Sequence, residues 1–247
     1  MVVNLSVPGT DDLTPIGHTL REWQSDADPV QLHPGDVGWY WRFGELARRL
    51  VADLTTPEHG VLPHGEVNVE APPDALVKDL LTAGGWADDE PFVPLQRDLA
   101  GPVEDPGVRI ETVGPDRVSE RTAVHRASFD RSTFTDERWH AMAAGPLYAD
   151  ARCLVACDDE GTAVGAITVW SAGPGRPGLI EPLGVLPDHR GHGYGRAVTL
   201  AGARVLRELG SSSAVVITER HRDAAVATYV SAGFTRLPDR FDRRRAA

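Results

Sequence analysis

Residues 179–196 read Leu-Ile-Glu-Pro-Leu-Gly-Val-Leu-Pro-Asp-His-Arg-Gly-His-Gly-Tyr-Gly-Arg, and the chain runs on to Leu209 as Ala-Val-Thr-Leu-Ala-Gly-Ala-Arg-Val-Leu-Arg-Glu-Leu. A short apolar strand leads into a loop with Gly at 191, 193 and 195, and an amphipathic helix follows. Such a strand-loop-helix aims backbone N–H groups, at the positive end of a helix dipole, toward one point. That point suits a phosphate or pyrophosphate. A nucleotide-hydrolysing P-loop would follow its last Gly with Lys and Ser or Thr, whereas Gly195 is followed by Arg196-Ala197. A dinucleotide-binding fold needs Gly-x-Gly-x-x-Gly and a later acid at the end of a second strand. Here the last spacing is one residue short, and Glu208 falls within the helix. An ordinary glycine turn before a helix stays open on the loop alone.

Working outward, the 247 residues suffice for one large domain or two small ones, and no apolar run approaches the length of a membrane span. The opening Met1–Gly9 stretch has no basic segment followed by a long apolar core, so a cytoplasmic location is expected. Cys153 and Cys157 occupy alternate positions of one apolar run, as small buried side chains on one strand face, without the further Cys/His pair a zinc site requires. No metal is expected. Residues 1–103 hold 6 basic and 17 acidic side chains, a net charge of −11, while the remaining residues hold 19 of each. This imbalance argues against nucleic acid as a partner and favours a neutral or cationic small molecule, unless the acids only form a solvated surface.

Asp98–Gly107 is rich in Gly, Pro and acids and reads as a linker, dividing the chain into 1–103 and 104–247. The second part predicts a strand at Val108–Val113 and a helix from Pro115 to Ser128. A helix capped by Thr135 follows, then strands at Cys153–Cys157, Val164–Trp170 and Leu179–Val185. After the glycine loop and its helix come a strand at Ala214–Thr218, a helix at Asp223–Ala232 and a last strand at Thr235–Phe241. The first part predicts a strand at Gly65–Glu70, a helix from Asp74 to Trp86, a strand at Phe92–Leu99 and an earlier helix at Gly44–Leu54.

Arg190-x-x-Gly193-x-Gly195, followed by Tyr229-x-x-x-Gly233-Phe234 in this order of elements, resembles the GNAT N-acetyltransferase superfamily. The resemblance implies an α/β (α+β) fold for 104–247, with a mixed central sheet. The helix-Gly-aromatic-strand ending of the first part weakly repeats the second, so 1–103 reads as a shorter, degenerate GNAT-like domain without a cofactor loop, or as an unrelated acidic cap. This layout is similar to tandem-GNAT proteins such as mycothiol synthase.

Acetyl-CoA is then the expected co-substrate, held by Leu183, Gly184 and Val185 along the pantetheine arm and by Arg190, Gly191, His192, Gly193, Tyr194, Gly195 and Arg196 around the pyrophosphate. The resemblance implies Tyr229 as general acid toward the departing thiolate, against a purely packing role. Glu181, a lone carboxylate in an apolar strand, is the candidate base, against a solvent-facing position. The acceptor is expected to be the amine of a small molecule. A non-catalytic acyl-CoA sensor and a mycothiol-synthase-like enzyme acting on an amino-sugar cysteine conjugate are the alternatives, and oligomeric state is open, a homodimer being one option. One departure from the superfamily pattern stands out: Arg222 occupies the place where Asn commonly opens the second motif.

Overall fold

A computed structural model describes residues 13–28, 32–40, 66–70 and 76–245. The helix expected at Gly44–Leu54 and the start of the one expected at Asp74 lie outside these residues. Helices α1 (Leu13–Trp23) and α2 (Pro34–Tyr40) come first, then β1 (Val67–Val69), α3 (Leu76–Ala83) and β2 (Ala87–Asp98). The second part runs β3 (Arg109–Thr112), α4 (Val118–Ser128), α5 (Asp136–Ala143), β4 (Ala151–Cys157), β5 (Ala163–Ser171) and β6 (Gly178–Val185). It continues with α6 (Tyr194–Glu208), β7 (Ser213–Glu219), α7 (Asp223–Ser231), β8 (Thr235–Arg236) and β9 (Arg240–Arg245).

Among the described residues, one mixed sheet carries all nine strands, in the order β1-β9-β2-β7-β6-β5-β4-β3, with β8 beside β2. Strand period divides the core between its faces. Cys153, Val155 and Cys157 pack on one side with Trp139, Met142 and Trp170 under α4 and α5. Leu154 and Ala156 point to the other side and meet Ile167, Val198 and Leu200 beneath α6. Both faces being covered, β5 is buried along its whole length. Helix α6 approaches closely because it is small-sided: a Cβ at Gly202 would stand 2.8 Å from Cδ1 of Ile167. Thr135 caps α5, its hydroxyl accepting from the Arg138 N–H at 3.4 Å.

The division of sequence at residue 103 is not a division of the sheet. Strand β2 lies between β7 and β9, antiparallel to both, and pairs with β7 from Phe92↔Glu219 to Asp98↔Ser213. Val93 and Leu95 of this strand are fully buried against Ala214 and Val216. The single last strand expected at Thr235–Phe241 is two strands, β8 and β9, separated by Leu237-Pro238-Asp239, where Pro238 has no N–H for a ladder. The acidity of the first part is partly used here. Arg240 pairs with Glu70 at 2.7 Å, Arg243 with Asp88, and Arg244 with Glu66 and Asp89. The Arg240 and Arg243 side chains are buried, which makes their loss of partner more costly than for exposed pairs.

Helices α1 and α2 cover the α5 side. A Cβ at Gly35 would lie 2.6 Å from Trp170, so α2 sits directly on that indole. Arg21 of α1 pairs with Asp150. His33 is wholly buried before α2, its Nε2 donating to the Pro177 carbonyl at 3.1 Å and its Nδ1 accepting from Gly35 N–H at 2.9 Å. Burial, with the charge of Arg21, lowers its pKa to about 4. The unfolded chain therefore takes up this proton at higher pH than the folded one, and the stability that neutral His33 allows is lost as pH falls from 6.5 toward 4.

Two outcomes are expected. Residues 104–247 produced alone should lack a cooperative thermal transition by circular dichroism, and co-expression with 1–103 should restore it; a cooperative melt near that of the full chain would show that β2 is dispensable. In urea unfolding, moving from pH 7.5 to 5 should destabilise the wild type by about 2 kcal/mol more than His33→Gln. Equal losses would remove His33 as the cause.

Candidate functional site

Strands β6 and β7 begin as parallel neighbours, pairing at Gly178↔Ala214 and Leu179↔Val215, and then part. The cause lies on the other edge of β6. Its register against β5 shifts between Val169↔Ile180 and Ile167↔Leu183, so Glu181 and Pro182 together face Thr168. This β-bulge turns the strand, and Pro182 has no N–H to offer a neighbour. The Trp170 indole secures the bulge by donating to the Glu181 carbonyl at 2.8 Å. Beyond it, Leu183–Val185 remain paired to β5 on one edge and border a cavity on the other.

The cavity measures about 520 Å³. Leu183–Val185 form one wall and the start of α7, from His221 to Ala225, the opposite one; the glycine loop closes an end, and Ser128 and Phe129 of the α4 terminus complete it. Gly191 and Gly193 have φ of +80° and +87°, and a Cβ at either would meet nothing within 4 Å. They are glycines because the backbone is left-handed there, and the space before them is open. Gly193 is also the residue before α6, so no side chain caps the helix, and the first turn holds no acid. An uncapped N-terminus beside open space is the geometry that the sequence reading expects of an anion site. Gly195 differs: its Cβ would come 3.0 Å from Cγ2 of Thr228, so its smallness lets α6 approach α7.

Of the ten residues expected to hold the cofactor, Leu183, Gly184, Val185, Arg190, Gly191 and Gly195 line the cavity. His192, Gly193, Tyr194 and Arg196 are not in its lining. The Arg190 side chain bridges Val185 and Ser128 carbonyls at 3.3 and 3.4 Å. Arg196 turns away, its Nε donating to the Ser231 carbonyl at 2.9 Å. Tyr194 lies edge-on to His189. Arg222 lines the cavity and pairs with Glu219 at 2.7 Å.

Tyr229 lies on the cavity-facing side of α7 and is 7% exposed. Burial, reinforced by the negative charges of Glu181 and Glu219, raises the phenol well above its ordinary value, so it stays protonated at neutral pH. Glu181 is partly buried rather than solvent-facing. Its carboxyl neighbours that of Asp36, a residue of α2 that the sequence reading did not single out. Burial first, then the Glu181 charge and hydrogen bond and the more distant Glu70, push the Asp36 carboxyl well above the usual range, against the lowering effect of the His33 N–H at 2.7 Å. Nothing in the sequence marks Asp36 out among the acids of the first part.

His125 is buried among Trp39, Phe129 and Phe134, with ring centroids 5.6, 4.6 and 4.9 Å away. Among the described residues, no group of His, Cys, Asp or Glu is arranged to hold a metal ion, and no helix is long and apolar enough to cross a membrane.

Comparison with known proteins agrees with this geometry. Residues 118–234 match the model of the acetyltransferase (GNAT) family. A mycothiol acetyltransferase of Thermobispora bispora is 33% identical over 222 residues, covering 83% of this chain and 71% of that protein. Another, of Propionibacterium freudenreichii, is 34% identical over 135 residues, 52% of this chain and 43% of its own length. The chain spans about half the length of most such curated relatives. Among solved structures, a GCN5-related N-acetyltransferase of Sphaerobacter thermophilus superposes with a TM-score of 0.56 at 22% identity, over 85% of this chain and 68% of that one. One of Kribbella flavida gives 0.54 at 17%, over 89% and 79%. With its split sheet, its uncapped helix beside a glycine loop and these relatives, the chain belongs to the GNAT acetyltransferase family.

Proposed function

We propose that this protein is an acetyl-CoA-dependent N-acetyltransferase acting on a small amine by direct transfer within a ternary complex. The observation that carries the reading is the parting of β6 from β7. It places an open strand edge, an uncapped helix N-terminus and a buried protonated phenol around one cavity. The Leu183–Val185 edge suits the amide-bearing pantetheine arm as an added strand, and the N–H groups at the start of α6 suit the pyrophosphate. A backbone N–H beside Val185 would polarise the thioester carbonyl.

An acceptor arriving as an ammonium first gives one proton to the Glu181 and Asp36 carboxyl pair, directly or through water. The freed nitrogen then attacks the thioester carbon, the C–S bond breaks as the Tyr229 hydroxyl protonates the departing sulfur, and the second proton lost by the nitrogen restores the phenol through water. The negative charge shared by the neighbouring Glu181 and Asp36 carboxyls favours an acceptor that arrives as a cation. We place the reaction in the cytoplasm, with no nucleic-acid partner. Similarity to proteins named mycothiol acetyltransferase favours, as a narrower reading, an amino-sugar cysteine conjugate as the acceptor.

Free thiol released from acetyl-CoA, followed with a panel of small amines that includes such a conjugate, tests the assignment. Tight acetyl-CoA binding without thiol release above background for any amine would indicate a non-catalytic acyl-CoA sensor. Gly193→Trp should abolish acetyl-CoA binding in calorimetry, since its ring would fill the space before the loop and strain a left-handed residue; unchanged affinity would refute the site. Tyr229→Phe should keep that affinity and lower turnover by about 10- to 1,000-fold. Wild-type turnover would reduce Tyr229 to packing.

A further inference from the structure

The C-terminal end of α7 is held in an unusual way. Phe234 N–H donates to the Tyr229 carbonyl at 3.1 Å and Gly233 N–H to the Val230 carbonyl at 3.0 Å, as expected where a helix stops at a left-handed glycine. The next two carbonyls have arginine donors from distant parts of the chain. Ser231 O accepts from Arg196, whose backbone lies in the first turn of α6. Ala232 O accepts from Arg97 of β2, whose side chain is 11% exposed. Arg97 also pairs with Glu104, and both arginines lower the pKa of that carboxyl. A Cβ at Gly233 would stand 3.0 Å from the Arg97 guanidinium, so the glycine leaves room for it.

We propose that Arg97 and Arg196 are positioning residues that clamp the end of α7 between β2 and the cofactor loop, and thereby set where the Tyr229 hydroxyl stands in the cavity. Tyr229 lies within one helical turn of both clamped carbonyls. Two cations at a helix C-terminus also oppose its negative dipole end, so their removal frees that last turn. Arg196 thus acts away from phosphate while its backbone serves the loop, which ties the loop and the phenol into one unit. The kinetic consequence rests on the acetyl-transfer reading; the placement of the phenol does not.

The test uses the full chain with its four tyrosines replaced by 3-fluorotyrosine, the Tyr229 ¹⁹F resonance being assigned with Tyr229→Phe. In Arg196→Met that resonance should shift or broaden and in Arg196→Lys return toward the wild-type position, while acetyl-CoA affinity changes by less than about threefold. Turnover should fall about tenfold with the acetyl-CoA KM little changed, and by no further factor when Arg196→Met is combined with Tyr229→Phe. Arg97→Met should move the same resonance; if its burial prevents folding, the exposed Arg196 still decides. A Tyr229 resonance unmoved in Arg196→Met overturns the clamp. So does a tenfold loss of acetyl-CoA affinity with the resonance unmoved, which would return Arg196 to phosphate. If Tyr229→Phe retains wild-type turnover, the acid role fails and the resonance alone judges the clamp.

Discussion

The site depends on one constraint: a strand that is bulged on one edge cannot keep its register with both neighbours. Where Glu181 and Pro182 share the place opposite Thr168, β6 turns, and its ladder with β7 ends after Leu179↔Val215. A sheet interior normally has no unpaired backbone, because buried N–H and C=O groups without partners are costly. Here the cost is limited because the freed edge borders an open cavity, where water or an extended ligand can complete its hydrogen bonds. The same bulge holds the Glu181 backbone to the Trp170 indole and leaves its carboxyl on the α2 side of the sheet.

Around this opening, elements from both ends of the chain are needed. The glycine loop and α6 form one end of the cavity, and α7 brings Tyr229 to the opposite wall. Strand β2 fills the sheet beside β7, and Arg97 on it reaches the end of α7. Helix α2 lies on Trp170 and supplies Asp36 to Glu181. Acids of the first part also neutralise buried arginines of β9. The strongly acidic first part is therefore tied electrostatically to the second, and the charge imbalance read along the chain is smaller in space than in sequence.

Local signals were legible where backbone chemistry is local. The Thr135 cap, the alternation of Cys153 and Cys157 with Leu154 and Ala156, and the end of α7 before Gly233 each follow from neighbouring residues, and each stands where expected. The loop motif with Tyr229 and Phe234 downstream was enough to indicate the family. By contrast, a linker-like composition at 98–107 suggested separate units because a strand does not disclose its partner: β2 reads the same whether it closes its own sheet or enters another. Asp36, buried His125 and the turning of Arg196 toward Ser231 were equally hidden, each depending on contacts across long stretches of chain.

By itself, then, the sequence determined the glycine loop, the helix that follows it and, through its two motifs, the family, since these rest on φ angles, helix ends and spacing within one or two elements. Tertiary structure decided where the sheet opens, which first-part strand completes it, and which carboxyl stands beside Glu181. Those outcomes depend on burial and on the pairing of distant segments, and neither is a property of any short stretch of residues.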